Sequence, residues 1–256
     1  MTVTPDDHFL AAKLATLAGD LLVDLRSSLV RDDVSPAELK RHGDQLAHEF
    51  LMESLSRLRP RDAVLSEEGV EAETPATKAD RLAARRVWIV DPLDGTREFS
   101  EPPRDDWAVH VALCVDGRPV VGAVSLPALG LTFSTADPPT VPPATEQVRV
   151  LVSRTRPPVE ATTIAEALGA ELVPMGSAGA KTMAILRGRA DCYPHSGGQY
   201  EWDSAAPVAV AAAAGLWCSR IDGSPLTYNS PDPYLPDLLI CRAELADRVL
   251  GALHSD

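Results

Sequence analysis

The sequence predicts a layered protein of helices and sheets, α+β in its first half and α/β in its second. Three observations carry that expectation. Two stretches with helical spacing of apolar residues open the chain, strand-like runs joined by a tight turn follow, and past a proline cluster short strands alternate with helices. With 256 residues, 45% hydrophobic and 24% charged, the chain can bury a substantial core, which excludes a disordered protein.

Over residues 6–29, apolar residues recur at Leu10, Leu14, Leu17, Leu21, Leu25 and Leu29, the steps of three or four that line one helix face. Residues 43–58 repeat the pattern with Leu46, Phe50, Leu51, Leu55 and Leu58. Runs at 63–65, 86–90 and 107–114 read as strands. The last continues through the turn Val115-Asp116-Gly117 into a partner over 119–125, so a largely antiparallel sheet is expected. Asp137-Pro138-Pro139-Thr140-Val141-Pro142-Pro143 then removes backbone donors and fixes φ, which neither helix nor central strand survives. It marks the expected boundary between a half over 1–136 and a half over 137–256. Beyond it, strands near 148–152, 171–173 and 238–241 alternate with helices near 159–168, 178–187, 204–214 and 244–253.

Lys and Arg number 24 against 37 Asp and Glu, a net charge of −13. That balance argues against a sequence-independent grip on nucleic acid or anionic membranes. An anionic small molecule would instead be held by local devices: metal ions, helix N-termini and a few cations. Cys114, Cys192, Cys218 and Cys241 sit in separate apolar segments without C-x-x-C spacing and are expected as buried thiols of a reducing compartment. The first residues lack a basic stretch ahead of an apolar run, and no segment approaches the roughly 18 apolar residues of a membrane span, so a cytoplasmic protein is expected. His8, His42, His48, His110, His195 and His254 are scattered, which points to neither zinc nor a triad; they are expected as satisfied or solvent-facing imidazoles.

Candidate chemistry rests on acids placed where strands end. Trp88-Ile89-Val90 runs into Asp91-Pro92-Leu93-Asp94-Gly95-Thr96, two carboxylates three residues apart where proline and glycine bend the chain. The plain alternative is a turn whose aspartates bond their own backbone. Ser66-Glu67-Glu68-Gly69 follows its strand in the same way, or is only a solvated face. Asp203, in Glu201-Trp202-Asp203-Ser204-Ala205-Ala206-Pro207, heads an alanine-rich helix and also reads as its N-cap. Together these acids are the hard oxygen donors that Mg²⁺ prefers. The D-x-D-x-D-G alternation of an EF-hand is absent.

In that order and at those separations, WIVDPLDGT, the upstream EEG and the downstream WDSAAP resemble the three motifs of the inositol monophosphatase superfamily. The resemblance spans nearly the whole chain. Arg97-Glu98-Phe99 after the central motif is similar to the CysQ branch, the 3′-phosphoadenosine 5′-phosphate phosphatases. So are Gly176-Ser177-Ala178-Gly179-Ala180-Lys181, Gly197-Gly198-Gln199-Tyr200-Glu201-Trp202-Asp203 and Asp222-Gly223-Ser224-Pro225-Leu226-Thr227-Tyr228-Asn229, especially to its actinobacterial members.

The resemblance implies a layered α-β-α-β-α sandwich and an enzyme, a phosphoric monoester hydrolase using two or three Mg²⁺ ions. The 1–136 half would bind metal and the 137–256 half substrate. Carried over by position, Glu67, Asp91, Asp94 and Asp203 would be side-chain metal ligands, joined by the carbonyl of Leu93, with Glu68 as a neighbour. Asp44, Glu67 and Thr96 would be catalytic, Thr96 and Asp44 forming the hydrogen-bonded pair that orients the attacking water. Arg41-His42-Gly43-Asp44 lacks the threonine of the family's usual Thr-x-x-Asp. The N–H groups of Gly95 and Thr96, opening a helix, would face the phosphate. Arg154 and Lys181 would meet a second phosphate, Ser177 and Gly179 would line the sugar, and Tyr200 would stack on or flank adenine. The same five also read as surface charges, turn residues and a core aromatic.

The expected reaction is hydrolysis of the 3′-phosphate of 3′-phosphoadenosine 5′-phosphate to AMP and phosphate, in sulfate assimilation, with 3′-phosphoadenylyl sulfate as a second substrate. Inositol monophosphate or fructose 1,6-bisphosphate is the alternative with the same chemistry. A non-catalytic sensor of bisphosphate nucleotides is the alternative without it. A homodimer is expected, with neither nucleic acid nor membrane as partner.

Overall fold

The computed structural model describes residues 3–254; the outermost positions of the two expected halves lie outside the described residues. Helix α1 (Pro5–Arg31) packs on α2 (Pro36–Leu58). α2 begins at Pro36 rather than Gly43 because Ser35 and Glu38 form a reciprocal cap, the Ser35 hydroxyl accepting the Glu38 N–H and the Glu38 carboxylate accepting the Ser35 N–H. Then follow β1 (Ala63–Ser66), a 3-10 helix (Glu67–Ala72), α3 (Pro75–Ala83), β2 (Arg86–Asp94) and the single turn α4 (Thr96–Phe99). β3 (Ala108–Val115), β4 (Arg118–Leu126) and β5 (Leu131–Ser134) complete a sheet in the order β1-β2-β3-β4-β5. β1 and β2 run parallel and the remaining neighbours antiparallel.

After the proline segment come β6 (Arg149–Ser153), α5 (Val159–Leu168), β7 (Glu171–Met175), α6 (Ala178–Leu186), β8 (Cys192–Tyr200), α7 (Glu201–Ala213), β9 (Trp217–Ser219), β10 (Tyr234–Cys241) and α8 (Ala246–Leu253). They form a mixed second sheet in the order β7-β6-β8-β10-β9, parallel across β7-β6-β8 and antiparallel across β8-β10-β9. The elements α3, β5, β8 and β9 were not expected from the sequence. β8 contains Pro194, Gly197 and Gly198, residues of low strand preference, yet pairs with β10 along most of its length.

Five layers result. α1 and α2 cover one face of the first sheet, α6 and α7 fill the space between the sheets, and α5 and α8 cover the far face of the second. The period of two along β2 sorts residues between layers: Trp88 and Val90 join the core under α1 and α2, whereas Val87 and Ile89 face α6 and α7. β3 divides likewise, with Val109, Val111 and Leu113 on the first side and Ala108 and Ala112 on the second. Asp91 and His110, continuing the second series, therefore lie on the side of α6 and α7.

Candidate active site

Parallel pairing of β1 with β2 puts Ser66 level with Val90, so Glu67 and Asp91 leave neighbouring strands side by side. β2 does not stop at Val90 as expected. Asp91 pairs with His110 and Asp94 with Ala108, three steps on one strand against two on the other, which is a β-bulge. In a regular strand two residues three apart face opposite sides. The extra residue cancels that alternation and brings both carboxylates to one side.

Asp203 arrives from the opposite layer, in the first turn of α7. It is not the N-cap: the helix starts earlier, at Glu201, and Asp203 Oδ2 reaches back to accept the Tyr200 N–H at 2.7 Å. Asp91, Asp94 and Asp203 each place an oxygen within 4.8 Å of the other two. Each also has one oxygen occupied. Asp91 Oδ1 accepts the Leu93 N–H at 3.0 Å, and Asp94 Oδ2 accepts the Ser177 hydroxyl at 2.5 Å and the Gly179 N–H at 2.7 Å. The second oxygen of each acid has no N–H or hydroxyl donor among the described residues, which is the arrangement a hard cation needs.

His110 adds a third contact to Asp94 Oδ2, its Nε2 lying 3.1 Å away. That approach lies off the line of a directed hydrogen bond and is an ion pair. Its Nδ1 faces the Trp202 carbonyl at 3.1 Å, so both ring nitrogens lie against oxygen acceptors. Burial alone would raise the pKa of Asp94, but His110, Ser177 and Gly179 outweigh it and hold the carboxyl at about 2. Burial lowers the His110 value, and the charge of Asp94 more than reverses this.

The other acids go the opposite way. Burial first, then the charges of Glu67, Asp94 and Asp203, push Asp91 well up. Burial and Asp94 raise Asp203 to about 7. Burial raises Glu67 to about 7, against the opposing effect of its contact with Asp91. Without metal, the folded protein thus retains protons between about pH 4 and 7 that the unfolded chain has released, and stability falls as pH rises through that window. Metal-free protein is expected to melt roughly 5 °C lower at pH 8 than at pH 5.5. Saturating Mg²⁺ should remove most of the difference. Calorimetry with and without chelator checks this, and a metal-free melting temperature that is flat or rises with pH would show that the acids do not crowd one another.

Thr96 does not pair with Asp44. Its hydroxyl folds back from the single turn of α4 and donates to the Leu93 carbonyl at 3.1 Å, leaving its lone pairs able to accept from a water. Asp44, on α2, is raised to about 7 by burial and by Glu68, and its charge reaches Glu67. Gly95 sits at φ +84° ahead of the turn, a conformation that side chains rarely adopt.

The five nucleotide candidates divide. Arg154 is an ion pair with Glu98 at 2.5 Å and Glu101 at 3.2 Å, so its charge is spent within the protein. Ser177 and Gly179 face Asp94 rather than an open sugar pocket, and the Ser177 hydroxyl also accepts the Ala180 N–H. Lys181 is no surface charge: it is 6% exposed, 5.0 Å from the centre of the Tyr193 ring, and burial lowers its pKa against the pull of Asp94 and Asp203. Tyr200 is no core aromatic, being 41% exposed, stacked on Trp202 at 4.8 Å and edge-on to Tyr234. With Trp202, Glu67, Glu68 and Pro233 it lines a cavity of about 520 Å³ beside the acids. A cleft of about 550 Å³ between α2, β1 and α3 contains none of the candidate ligands.

Sequence reasoning missed His110, placing it among ordinary imidazoles. Its signal was a single polar residue in the otherwise apolar run Ala108–Val115.

The sequence pattern of the inositol monophosphatase family matches residues 8–255. A "3′-phosphoadenosine 5′-phosphate phosphatase" of Mycobacterium leprae is 48% identical over 97% of this chain and 93% of its own. The "3′(2′),5′-bisphosphate nucleotidase CysQ" of Escherichia coli is 31% identical over 87% and 94%. Among solved structures, CysQ from Bacteroides thetaiotaomicron superimposes with a TM-score of 0.76 at 26% identity, covering 93% of this chain and 97% of that one.

Proposed function

Since this chain belongs to the inositol monophosphatase family, we propose that it is a Mg²⁺-dependent phosphoric monoester hydrolase acting on 3′-phosphoadenosine 5′-phosphate, releasing AMP and phosphate. The observation that carries the reading is the convergence of Asp91, Asp94 and Asp203, each with an oxygen that meets no N–H or hydroxyl donor among the described residues, next to Glu67 and the exposed Tyr200. The names of the relatives at 48% and 31% identity support the nucleotide as substrate over inositol phosphate or fructose 1,6-bisphosphate. A role in sulfate assimilation, with 3′-phosphoadenylyl sulfate as a second substrate, is part of the same proposal.

The family depends on metal. Glu67, Asp91, Asp94, Asp203 and the Leu93 carbonyl would hold two or three Mg²⁺ ions, which supply positive charge to the phosphate and acidify a bound water. Residues 1–136 contribute all of these ligands except Asp203, which the substrate half lends to the site. The Thr96 oxygen accepts from the attacking water and so orients it, while Asp44 and Glu67 are placed to take its proton. The Gly95 and Thr96 N–H groups meet the phosphate, and Tyr200 offers its open face to the base.

With Arg154 neutralised, the second phosphate needs another cation. Arg156 makes no ion pair among the described residues and leans over Gly198, and its charge together with that of Lys181 reaches His195. Lys181→Met, which withdraws a buried charge from beneath the acids, is expected to slow hydrolysis of bisphosphate and monophosphate alike. A loss confined to the bisphosphate would assign Lys181 to the second phosphate.

Four free cysteines fit a reducing cytoplasm, and no helix among the described residues is long and apolar enough to cross a membrane. A homodimer is the proposed assembly, which light scattering would check. Phosphate release from 3′-phosphoadenosine 5′-phosphate, inositol 1-phosphate and fructose 1,6-bisphosphate at saturating Mg²⁺ tests the substrate. Faster release from either sugar phosphate would overturn the nucleotide assignment, and nucleotide binding without release from any substrate would favour a sensor.

A further inference from the structure

β3 is apolar from Ala108 to Val115 except at His110, which is 0% exposed. Burying an imidazole in the centre of a strand is unfavourable unless its nitrogens are occupied. Here the ring touches what surrounds all three convergent acids. It is the cross-strand partner of Asp91, its Nε2 meets Asp94 Oδ2 at 3.1 Å, and its Nδ1 holds the carbonyl of Trp202, the residue before Asp203, at 3.1 Å. α6 is shaped around it as well: a Cβ on Gly179 would fall 2.1 Å from Nε2. Since both nitrogens are turned away from solvent, the ring cannot reach a substrate. Its contacts instead join the bulge of β2 to the first turn of α7.

We propose that His110 is a positioning residue that sets the separation of Asp94 and Asp203 and thereby the affinity of the site for its divalent cation. The proposal rests on the metal-hydrolase reading for what the site binds. It differs from a packing role in predicting a defect in metal binding that outlasts correct folding.

The test is binding of Mn²⁺, a spectroscopically visible substitute for Mg²⁺, followed by electron paramagnetic resonance without substrate. His110→Leu is expected to weaken Mn²⁺ binding by about tenfold or more, as loss of a group that orients metal ligands does. His110→Asn, which retains a donor, should recover part of it. Gly179→Ala, whose Cβ forces the ring or α6 to shift, should also weaken binding. The Mg²⁺ concentration for half-maximal turnover should rise in parallel, whereas KM for the phosphate ester at saturating Mg²⁺ should stay within about twofold. If His110→Leu does not fold, His110→Asn and Gly179→Ala decide the matter. Wild-type Mn²⁺ affinity in folded variants, whether or not they melt lower, overturns the proposal. A wild-type protein that binds Mn²⁺ but hydrolyses no phosphate ester would overturn the hydrolase reading instead, and the His110 variants would still be judged on Mn²⁺ affinity.

Discussion

Asp94→Asn is expected to lower turnover by roughly a thousand-fold or more, about 4 kcal/mol of transition-state stabilisation, while leaving the fold intact. The size follows from how the carboxylate is held. The Ser177 hydroxyl, the Gly179 N–H and His110 all address Oδ2, so an asparagine must turn its carbonyl oxygen to that side to keep these contacts. Its NH₂ group then occupies the Oδ1 position. A donor carrying partial positive charge would point at the place where a cation belongs, and rotation of the amide would set it against three donors instead. Because Asp94 is held at about 2, the wild-type group is charged throughout the working pH range, so no change of buffer imitates or rescues the variant. Circular dichroism should remain near wild type, with phosphate release close to background. Retention of more than about half the wild-type rate at saturating Mg²⁺ would remove Asp94 from the ligand set.

The same clamp shows why some of the site was readable in the sequence and some was not. Asp91, Asp94, Glu67 and Asp203 lie where strands end or a helix begins, and such placements survive in a linear string because element boundaries leave Pro, Gly and changes of period behind. What could not be read was which oxygen faces inward. That depends on Ser177 and Gly179, which are distant in sequence and looked like turn residues, and on His110, whose partners come from two other elements. The pairing of Arg154 was hidden for a related reason. A cation next to a motif looks available until Glu98 and Glu101, more than fifty residues earlier, are seen to pair with it.

The fold was legible where periodicity is strong. Residues 159–168 and 178–186 form helices within a residue of the expected bounds, because each is bounded by proline or glycine and carries a run of residues with good helical spacing. β8 was not legible. Its proline and two glycines give no local preference for a strand, and pairing with β10 decides its conformation. The start of α2 was legible in principle, since Ser35-Pro36-Ala37-Glu38 spells a capping box, but the leucine pattern alone pointed to Gly43.

Thr96→Ala is the second large effect expected. The structure changes the reason for it. Were Thr96 bonded to Asp44, removing the hydroxyl would free a carboxylate; instead the hydroxyl proton is committed to the Leu93 carbonyl, and what alanine removes is an acceptor with a fixed direction. A water that loses this acceptor keeps its access to the phosphate and loses its alignment. The penalty should therefore appear in kcat, by the roughly 10²–10⁴-fold typical of groups that position a proton transfer, with a much smaller change in KM. Thr96→Ser tests the same point from the other side. It preserves the hydroxyl and its bond to Leu93, so it should retain most of the activity, whereas a steric role for the methyl group would make serine nearly as poor as alanine. Because α4 is only one turn and Gly95 sets its entry at φ +84°, neither variant should disturb the backbone. Single-turnover measurements at saturating Mg²⁺ separate the chemical step from product release. An unchanged kcat in Thr96→Ala would reduce the residue to the first position of a short helix and pass the orientation of the water to Asp44 and Glu67.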